Sequence, residues 1–145
     1  MKPIRALLDT NVLISAFLFS GNECQVFRKG IRREFKPLSS EYILTEFQIV
    51  LKNKLGIPER VVSSWVEIIL EACEVVRAAK EYNLPVPHEK DRAVLNATMD
   101  GDADILVTGD RHLLKLALKK PKIMTAKEFL KILASSNLDE AKADS

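Results

Sequence analysis

Residues 4–16 read IRALLDTNVLISA, in which a mostly apolar run ends at Asp9 and a second apolar pattern begins at Val12. The first run predicts a buried strand over 4–8, and the second predicts a helix. Asp9 is therefore expected at the carboxyl end of a strand, beside the start of a helix. Ligands bind at that edge of open α/β sheets, and a charge there is costly to desolvate unless something pairs with it. Asp9 thus needs partners from elsewhere in the chain.

Strand and helix patterns alternate along the remaining sequence. Further strands are predicted over 35–39, 74–78, 104–108 and 122–125, and further helices over 41–55, 58–72, 90–100, 111–119 and 126–134. Pro37 predicts that the second strand is short or irregular. The alternation as a whole predicts an α/β fold with a mainly parallel sheet and helices on both of its faces.

Length and composition fit one folded domain. Of the 145 residues, 47% are hydrophobic and 29% are charged, which is typical of globular and not of disordered proteins. Charged residues interrupt every apolar run, and no signal-peptide core precedes the first strand, so we expect a cytoplasmic protein with no membrane partner. Cys24 and Cys73 lack metal-site spacing, which favours buried free thiols. The segment 135–145 is polar, and we expect a flexible tail.

Basic residues are clustered although the net charge is only +2. One cluster contains Arg28, Lys29, Arg32 and Arg33, and the other contains Lys115, Lys119, Lys120 and Lys122. Each cluster alone is best explained as the solvated surface of a helix. Beside a suitable site, the same clusters would contact a phosphate backbone.

A second carboxylate repeats the arrangement around Asp9. Residues 105–108 have the pattern of a buried strand, Gly109 permits a tight turn, and Asp110 then begins a helix. Either aspartate alone is best explained as a helix N-cap. Two of them at the tips of parallel strands lie on one edge of the sheet, which favours a shared site.

Two helical carboxylates are candidates for the same site. Glu46 lies at the flank of the apolar face of its helix, where a side chain reaching into solvent is the alternative. Asp91 lies near the start of its helix, where the helix dipole alone would also favour it. Four carboxylates in one site would raise one another's pKa values unless a cation neutralises them. Mg²⁺ or Mn²⁺ prefers oxygen ligands and activates water for attack on a phosphodiester.

The chain resembles a PIN domain over roughly Pro3 to Leu133. The resemblance rests on four motifs in a specific order: LDTNVLISA at 8–16, SSEYILTEF at 39–47, KDRAVLNA at 90–97 and ADILVTGDRHLL at 103–114. It is nearest to the prokaryotic branch of VapC-type toxins of type II toxin–antitoxin systems. The fold that it implies is a three-layer α/β/α sandwich with a central, mainly parallel sheet, in a domain over residues 1–134.

The resemblance implies a Mg²⁺- or Mn²⁺-dependent endoribonuclease that hydrolyses RNA and has an antitoxin protein as its partner. The family's acidic quartet, which would be both metal-binding and catalytic, falls on Asp9, Glu46, Asp91 and Asp110. Its supporting positions fall on Asn11 and Thr108, which would orient ligands or waters through hydrogen bonds.

One position departs from the family pattern. Relatives often carry an additional Asp three residues before the third acid, where this chain has His88. The quartet stays whole, but a histidine stands where the auxiliary metal-binding carboxylate would be. Family members also commonly form dimers, and the broad apolar surface of the helix over 58–72, which includes Trp65, is compatible with a homodimer.

The sequence leaves two other functions open. A non-catalytic PIN-like module, such as a scaffold in RNA processing, would need no metal, although the intact quartet argues against it. A phosphatase with an aspartyl nucleophile would usually carry a second Asp two residues after Asp9, where this chain has Asn11. Neither His88 nor His112 falls in a recognisable triad or metal-ligand spacing, and no glycine-rich phosphate loop is present.

Overall fold

Five parallel strands form one sheet in the computed structural model, which describes residues 2–77, 86 and 88–143, the last seven as backbone. They are β1 (Arg5–Leu8), β2 (Lys36–Ser40), β3 (Glu74–Val76), β4 (Ile105–Val107) and β5 (Lys122–Met124). Their order across the sheet is β3-β2-β1-β4-β5. The chain moves outward from β1 in both directions, so the carboxyl ends of β1 and β4 border the crevice where ligands bind in such sheets.

Helices connect the strands and cover the sheet. The described helices are α1 (Thr10–Leu18), α2 (Asn22–Ile31), α3 (Glu41–Ile49), α4 (Glu59–Ala72), α5 (Glu89–Asp100), α6 (Arg111–Leu114) and α7 (Ala126–Ala143). A π-helical turn over Val50–Lys54 extends α3 to almost the predicted length. Helix α2 was not among the predicted elements. The parallel sheet with its helical connections confirms the predicted three-layer α/β/α fold.

The core explains why the central strands are continuously apolar. Residues 6–8 of β1 and 105–107 of β4 are all buried, as expected for strands covered on both faces. Phe35, just before β2, packs edge-to-face on Phe129 of α7, with 4.8 Å between ring centroids. Phe17 of α1 makes an edge contact with Phe47 of α3 at 5.8 Å. The first contact fixes α7 to the sheet. The second fixes α3, the helix that carries Glu46, against α1.

Pro37 does not make β2 short or irregular, so that prediction was wrong. Strand β2 has five residues and lies between β1 and β3. The Lys36 amide donates to the Ile4 carbonyl at 2.8 Å, on the β1 side. Because successive amides alternate sides, the missing N–H of Pro37 faces the β3 side, where pairing begins only at Leu38. No ladder hydrogen bond is lost there, which is why the strand tolerates a proline.

Other predicted boundaries shift for identifiable reasons. The helix predicted over 111–119 ends at Leu114, because Leu114, Leu116 and Leu118 are half-buried while the residues between them are exposed. This period of two is typical of extended chain. Helix α7 continues through Ala143, so the backbone of 135–143 is helical, and the end of the predicted tail lies outside the described residues. Likewise, residue 78 of the third predicted strand lies outside them.

In the described part of the chain, no helix combines the length and apolar character needed to cross a bilayer. Cys73 is buried and Cys24 is half-buried, and both are free thiols. Burial raises the pKa of Cys73 to about 12, so this thiol stays protonated at neutral pH.

Candidate active site

Asp9 lies directly after β1 and is almost fully buried, with 4% of its surface exposed. Its Oδ1 accepts a hydrogen bond from the Thr10 amide at 2.8 Å, which caps α1. Its Oδ2 accepts a hydrogen bond from the Thr108 hydroxyl at 2.7 Å. Burial raises the pKa of Asp9, although the hydrogen bonds from Thr108 and Thr10 oppose that effect. The charged form of this carboxylate is therefore energetically costly here.

Thr108 joins Asp9 to Asp110. Its buried Oγ1 donates to Asp9 and also accepts a hydrogen bond from the Asp110 amide at 3.0 Å. The Asp9 amide in turn donates to the Val107 carbonyl at 3.0 Å, which continues the pairing of β1 with β4. The structure thus places both strand-tip aspartates on one edge of the sheet, as the sequence predicted.

Capping and site roles coexist in these two aspartates. Asp110 Oδ1 accepts a hydrogen bond from the His112 amide at 2.8 Å and so caps α6, as Asp9 caps α1. Capping occupies only one carboxylate oxygen of each residue. The other oxygen of Asp9 contacts Thr108, and that of Asp110 has no hydrogen-bond partner within the described ranges. The capping explanation is therefore correct, but it does not use the full carboxylates.

Glu46 is held in place from two sides. Its side chain is 17% exposed, and its Oε2 accepts a hydrogen bond from the Tyr42 hydroxyl at 3.0 Å, one turn earlier in α3. Its Oε1 lies 3.1 Å from Nζ of Lys90 on α5, in an ion pair. Burial, together with the bond to Glu46, raises the pKa of Tyr42 to about 12, so this hydroxyl stays protonated and can donate.

Lys90 links the charges of the site. Partial burial opposes its positive charge, but the contact with Glu46 and the negative charges of Glu46, Asp9 and Asp110 outweigh burial and raise the pKa of Lys90. Three of the four predicted acids therefore lie within electrostatic reach of one ammonium group. Neither Lys90 nor Tyr42 was predicted to belong to the site. The i, i+4 spacing of Tyr42 and Glu46 would have been the signal for that contact.

Asp91 and Asn11 are placed near the site without joining the network. Asp91 is buried in the first turn of α5, directly after Lys90, and none of the described contacts links its carboxylate to the other three acids. Asn11 is exposed in the first turn of α1. The roles predicted for these two residues, and for the quartet as a whole, stay predictions.

The two histidines flank the same edge. His88 immediately precedes α5 and His112 lies in α6, and their ring centroids are 5.8 Å apart. Both side chains are exposed. The second basic cluster, in contrast, extends to the other edge of the sheet, because Lys120 pairs with Asp102 at 3.0 Å and Lys122 begins β5.

The acids provide the ligand type that a divalent cation prefers, but they do not form a closed cage. Across the described residues, no three His, Cys, Asp or Glu side chains converge closely enough to enclose a metal ion. Every predicted ligand is nevertheless a carboxylate oxygen, the type that Mg²⁺ and Mn²⁺ prefer. Asp9 is almost fully buried, and Oε1 of Glu46 is buried as well. A bound cation would compensate the charge of both carboxylates.

Comparison with known proteins identifies the family. The PIN domain family model matches residues 5–112, which include all four acids. The chain belongs to the PIN domain family. PIN domains are generally nucleases. No match was found among curated proteins.

Solved structures share the fold of this PIN domain at low sequence identity. VapBC2 from Rickettsia felis, bound to a DNA fragment from its promoter, is 16% identical, with a TM-score of 0.61 over 83% of this chain and 97% of that chain. PAE2754 from Pyrobaculum aerophilum is 19% identical, with a TM-score of 0.64 over 91% and 90% of the respective chains. At these identities, the likeness shows the fold.

Proposed function

We propose that the protein is a Mg²⁺- or Mn²⁺-dependent endoribonuclease that hydrolyses RNA phosphodiesters. The observation that carries the proposal is the hydrogen-bonded chain Asp9–Thr108–Asp110 at the adjoining tips of β1 and β4. Glu46 is linked to the same group of acids by its ion pair with Lys90. The negative charges of Glu46, Asp9 and Asp110 all act on this lysine. Membership of a family of nucleases supports this assignment.

Each part of the site would have a distinct role. The metal would be held by the acidic quartet of Asp9, Glu46, Asp91 and Asp110. When bound, it would supply Lewis-acid chemistry, activating a water and neutralising charge on the phosphodiester. Thr108 would keep the aspartates in fixed orientations, and the Tyr42 hydroxyl would do the same for Glu46. The exposed amide of Asn11 would orient a water or a phosphate oxygen.

The biological role that we propose is that of a cytoplasmic toxin in a type II toxin–antitoxin pair. The fold shared with VapBC2 supports an antitoxin protein as partner. We also propose a homodimer through α4. Of its broad apolar surface, only Val62 and Ile69 are buried, whereas Ile68 and Leu70 are exposed. A neighbouring short gene encoding a DNA-binding protein would support the toxin role, and a monomer in solution would contradict the dimer.

The metal-dependent activity has a direct test. Purified protein is incubated with a defined single-stranded RNA in Mg²⁺ or Mn²⁺, then with excess EDTA, and then with Mn²⁺ restored. We expect internal cleavage that stops with EDTA and returns with the metal. Cleavage that continues unchanged in EDTA would contradict the metal mechanism. Absence of both cleavage and Mn²⁺ binding would favour the non-catalytic scaffold.

Thr108→Val tests the hydrogen-bonded chain between the aspartates. The substitution keeps the shape of the side chain but removes the hydroxyl that serves both Asp9 and Asp110. We expect the cleavage rate to fall by about 10–100-fold, as for other partners of metal ligands. Thr98→Val is the matched control, because Thr98 is also fully buried and, among the described residues, its hydroxyl donates to the Val94 carbonyl alone. Equal rates in the two variants would refute a role for Thr108.

A further inference from the structure

We propose that Lys90 is a built-in counter-cation of the acidic site, which competes with the divalent ion for the carboxylates. Its ammonium group would neutralise the site before metal binds and would leave Glu46 when the ion enters. The inference rests on the proposed function for one point, namely that the competing ion is the divalent cation of the proposed nuclease site.

The contact geometry gives Lys90 the position that such a role requires. Its Nζ lies 3.1 Å from the buried Oε1 of Glu46. A metal ligand in the quartet is thus already in contact with a positive charge. Lys90 also directly precedes Asp91, a second acid of the quartet, in the first turn of α5.

Hydrogen bonds hold two of the acids in place, whereas the lysine side chain is partly exposed. Asp9 is fixed by Thr10 and Thr108, and Glu46 is fixed by Tyr42. The side chain of Lys90 is 48% exposed and borders an open cleft of about 310 Å³. Its flexible four-carbon stem can swing into this cleft without repacking the core. The carboxylates can therefore stay in place while the lysine exchanges with an incoming ion.

The competition follows from charge. An ammonium that contacts one ligand repels a divalent cation arriving at that ligand, and the mostly buried surroundings screen the repulsion less than bulk water does. The ion pair of Lys52 with Glu59 provides a contrast. It has the same 3.1 Å separation, but Glu59 is 79% exposed. Such surface pairs contribute little, so loss of Lys52 should not change the site.

Calorimetric titration with Mn²⁺ at neutral pH tests the proposal, using metal-stripped wild type, Lys90→Met, Lys90→Arg and the control Lys52→Met. We expect Lys90→Met to bind Mn²⁺ about tenfold more tightly, which corresponds to ~1.4 kcal/mol of repulsion removed. Lys90→Arg, which keeps the charge, and Lys52→Met should retain the wild-type affinity. Without metal, Lys90→Met should melt at a lower temperature than Lys52→Met.

The outcomes separate this proposal from the proposed function. Unchanged or weaker Mn²⁺ binding by Lys90→Met, beside a wild type that binds, would overturn the counter-cation role and leave the nuclease proposal intact. Binding by Lys90→Met but not by wild type would support the counter-cation role and contradict metal dependence of the native chain. No binding by any variant would overturn both.

Discussion

Asp9→Asn is expected to reduce RNA cleavage by about 10³-fold or more, equivalent to ~4 kcal/mol of transition-state stabilisation. Asn has nearly the same shape as Asp and can still cap α1, but it lacks the charge that would hold the metal. The measurement is a single-turnover rate on a defined RNA in Mn²⁺. Asp104→Asn is a suitable control, because Asp104 precedes β4 at the opposite edge of the sheet. An Asp9→Asn variant with near wild-type activity would exclude Asp9 from the catalytic site.

The same variant should keep its fold, and the pKa of Asp9 determines whether the substitution raises or lowers the stability. Burial raises that pKa above 3.8, so the folded protein binds the proton more tightly than the unfolded chain. The resulting stabilisation is complete below pH 3.8 and is lost as the pH rises through the folded pKa. Asp9→Asn avoids this loss. In EDTA at neutral pH, its melting temperature should equal that of wild type or exceed it by a few degrees, about 1 kcal/mol.

Thermal unfolding across a pH series checks this expectation. The advantage of Asp9→Asn over wild type should shrink as the pH falls toward 3.8, because protonation then removes the charge from wild-type Asp9. A variant that fails to fold at neutral pH would show instead that the fold depends on Oδ2 of Asp9 as the acceptor for the Thr108 hydroxyl, which an amide nitrogen cannot replace.

Phe47→Ala is expected to lower the free energy of unfolding by about 3–5 kcal/mol, because it leaves a cavity between α3 and the rest of the core. Phe47 is fully buried and makes the edge contact with Phe17 of α1. It also directly follows Glu46, so loss of this packing would loosen the backbone that carries a predicted ligand. Chemical denaturation measures the change.

Phe47→Leu is the matched control, since it keeps most of the apolar volume and should lose clearly less stability. A loss below about 1 kcal/mol for Phe47→Ala, the ordinary effect of a point mutation, would show that α3 does not depend on this contact. In that case, the position of Glu46 would have to be fixed mainly by its polar contacts with Tyr42 and Lys90.

Most of the fold could be predicted from local sequence patterns. The apolar runs of β1 and β4 are long enough to predict strands buried on both faces, and the acids that follow them predict one shared edge. Pro37 misled the prediction, because the cost of a proline in a strand depends on which neighbour its missing amide faces. That information lies in the registry of β2 with β1 and β3, which no local pattern contains.

The site was only partly predictable for a similar reason. Asp9 and Asp110 follow from strand ends, whereas the contact of Glu46 with Lys90 joins two helices that are distant in sequence. Helical periodicity placed Glu46 at the edge of an apolar face but could not identify its partner. The family resemblance supplied the quartet and has Lys90 directly before Asp91, yet it could not indicate that this lysine contacts Glu46. Only tertiary packing brings these two side chains together.

The most direct measurement of the central claim is an X-ray structure of the protein with MnCl₂, using anomalous scattering from manganese. We predict an anomalous peak within bonding distance of Asp9 and of further acids among Glu46, Asp91 and Asp110. A peak elsewhere, or no peak under conditions in which the protein cleaves RNA, would contradict the assignment of these residues as the metal site.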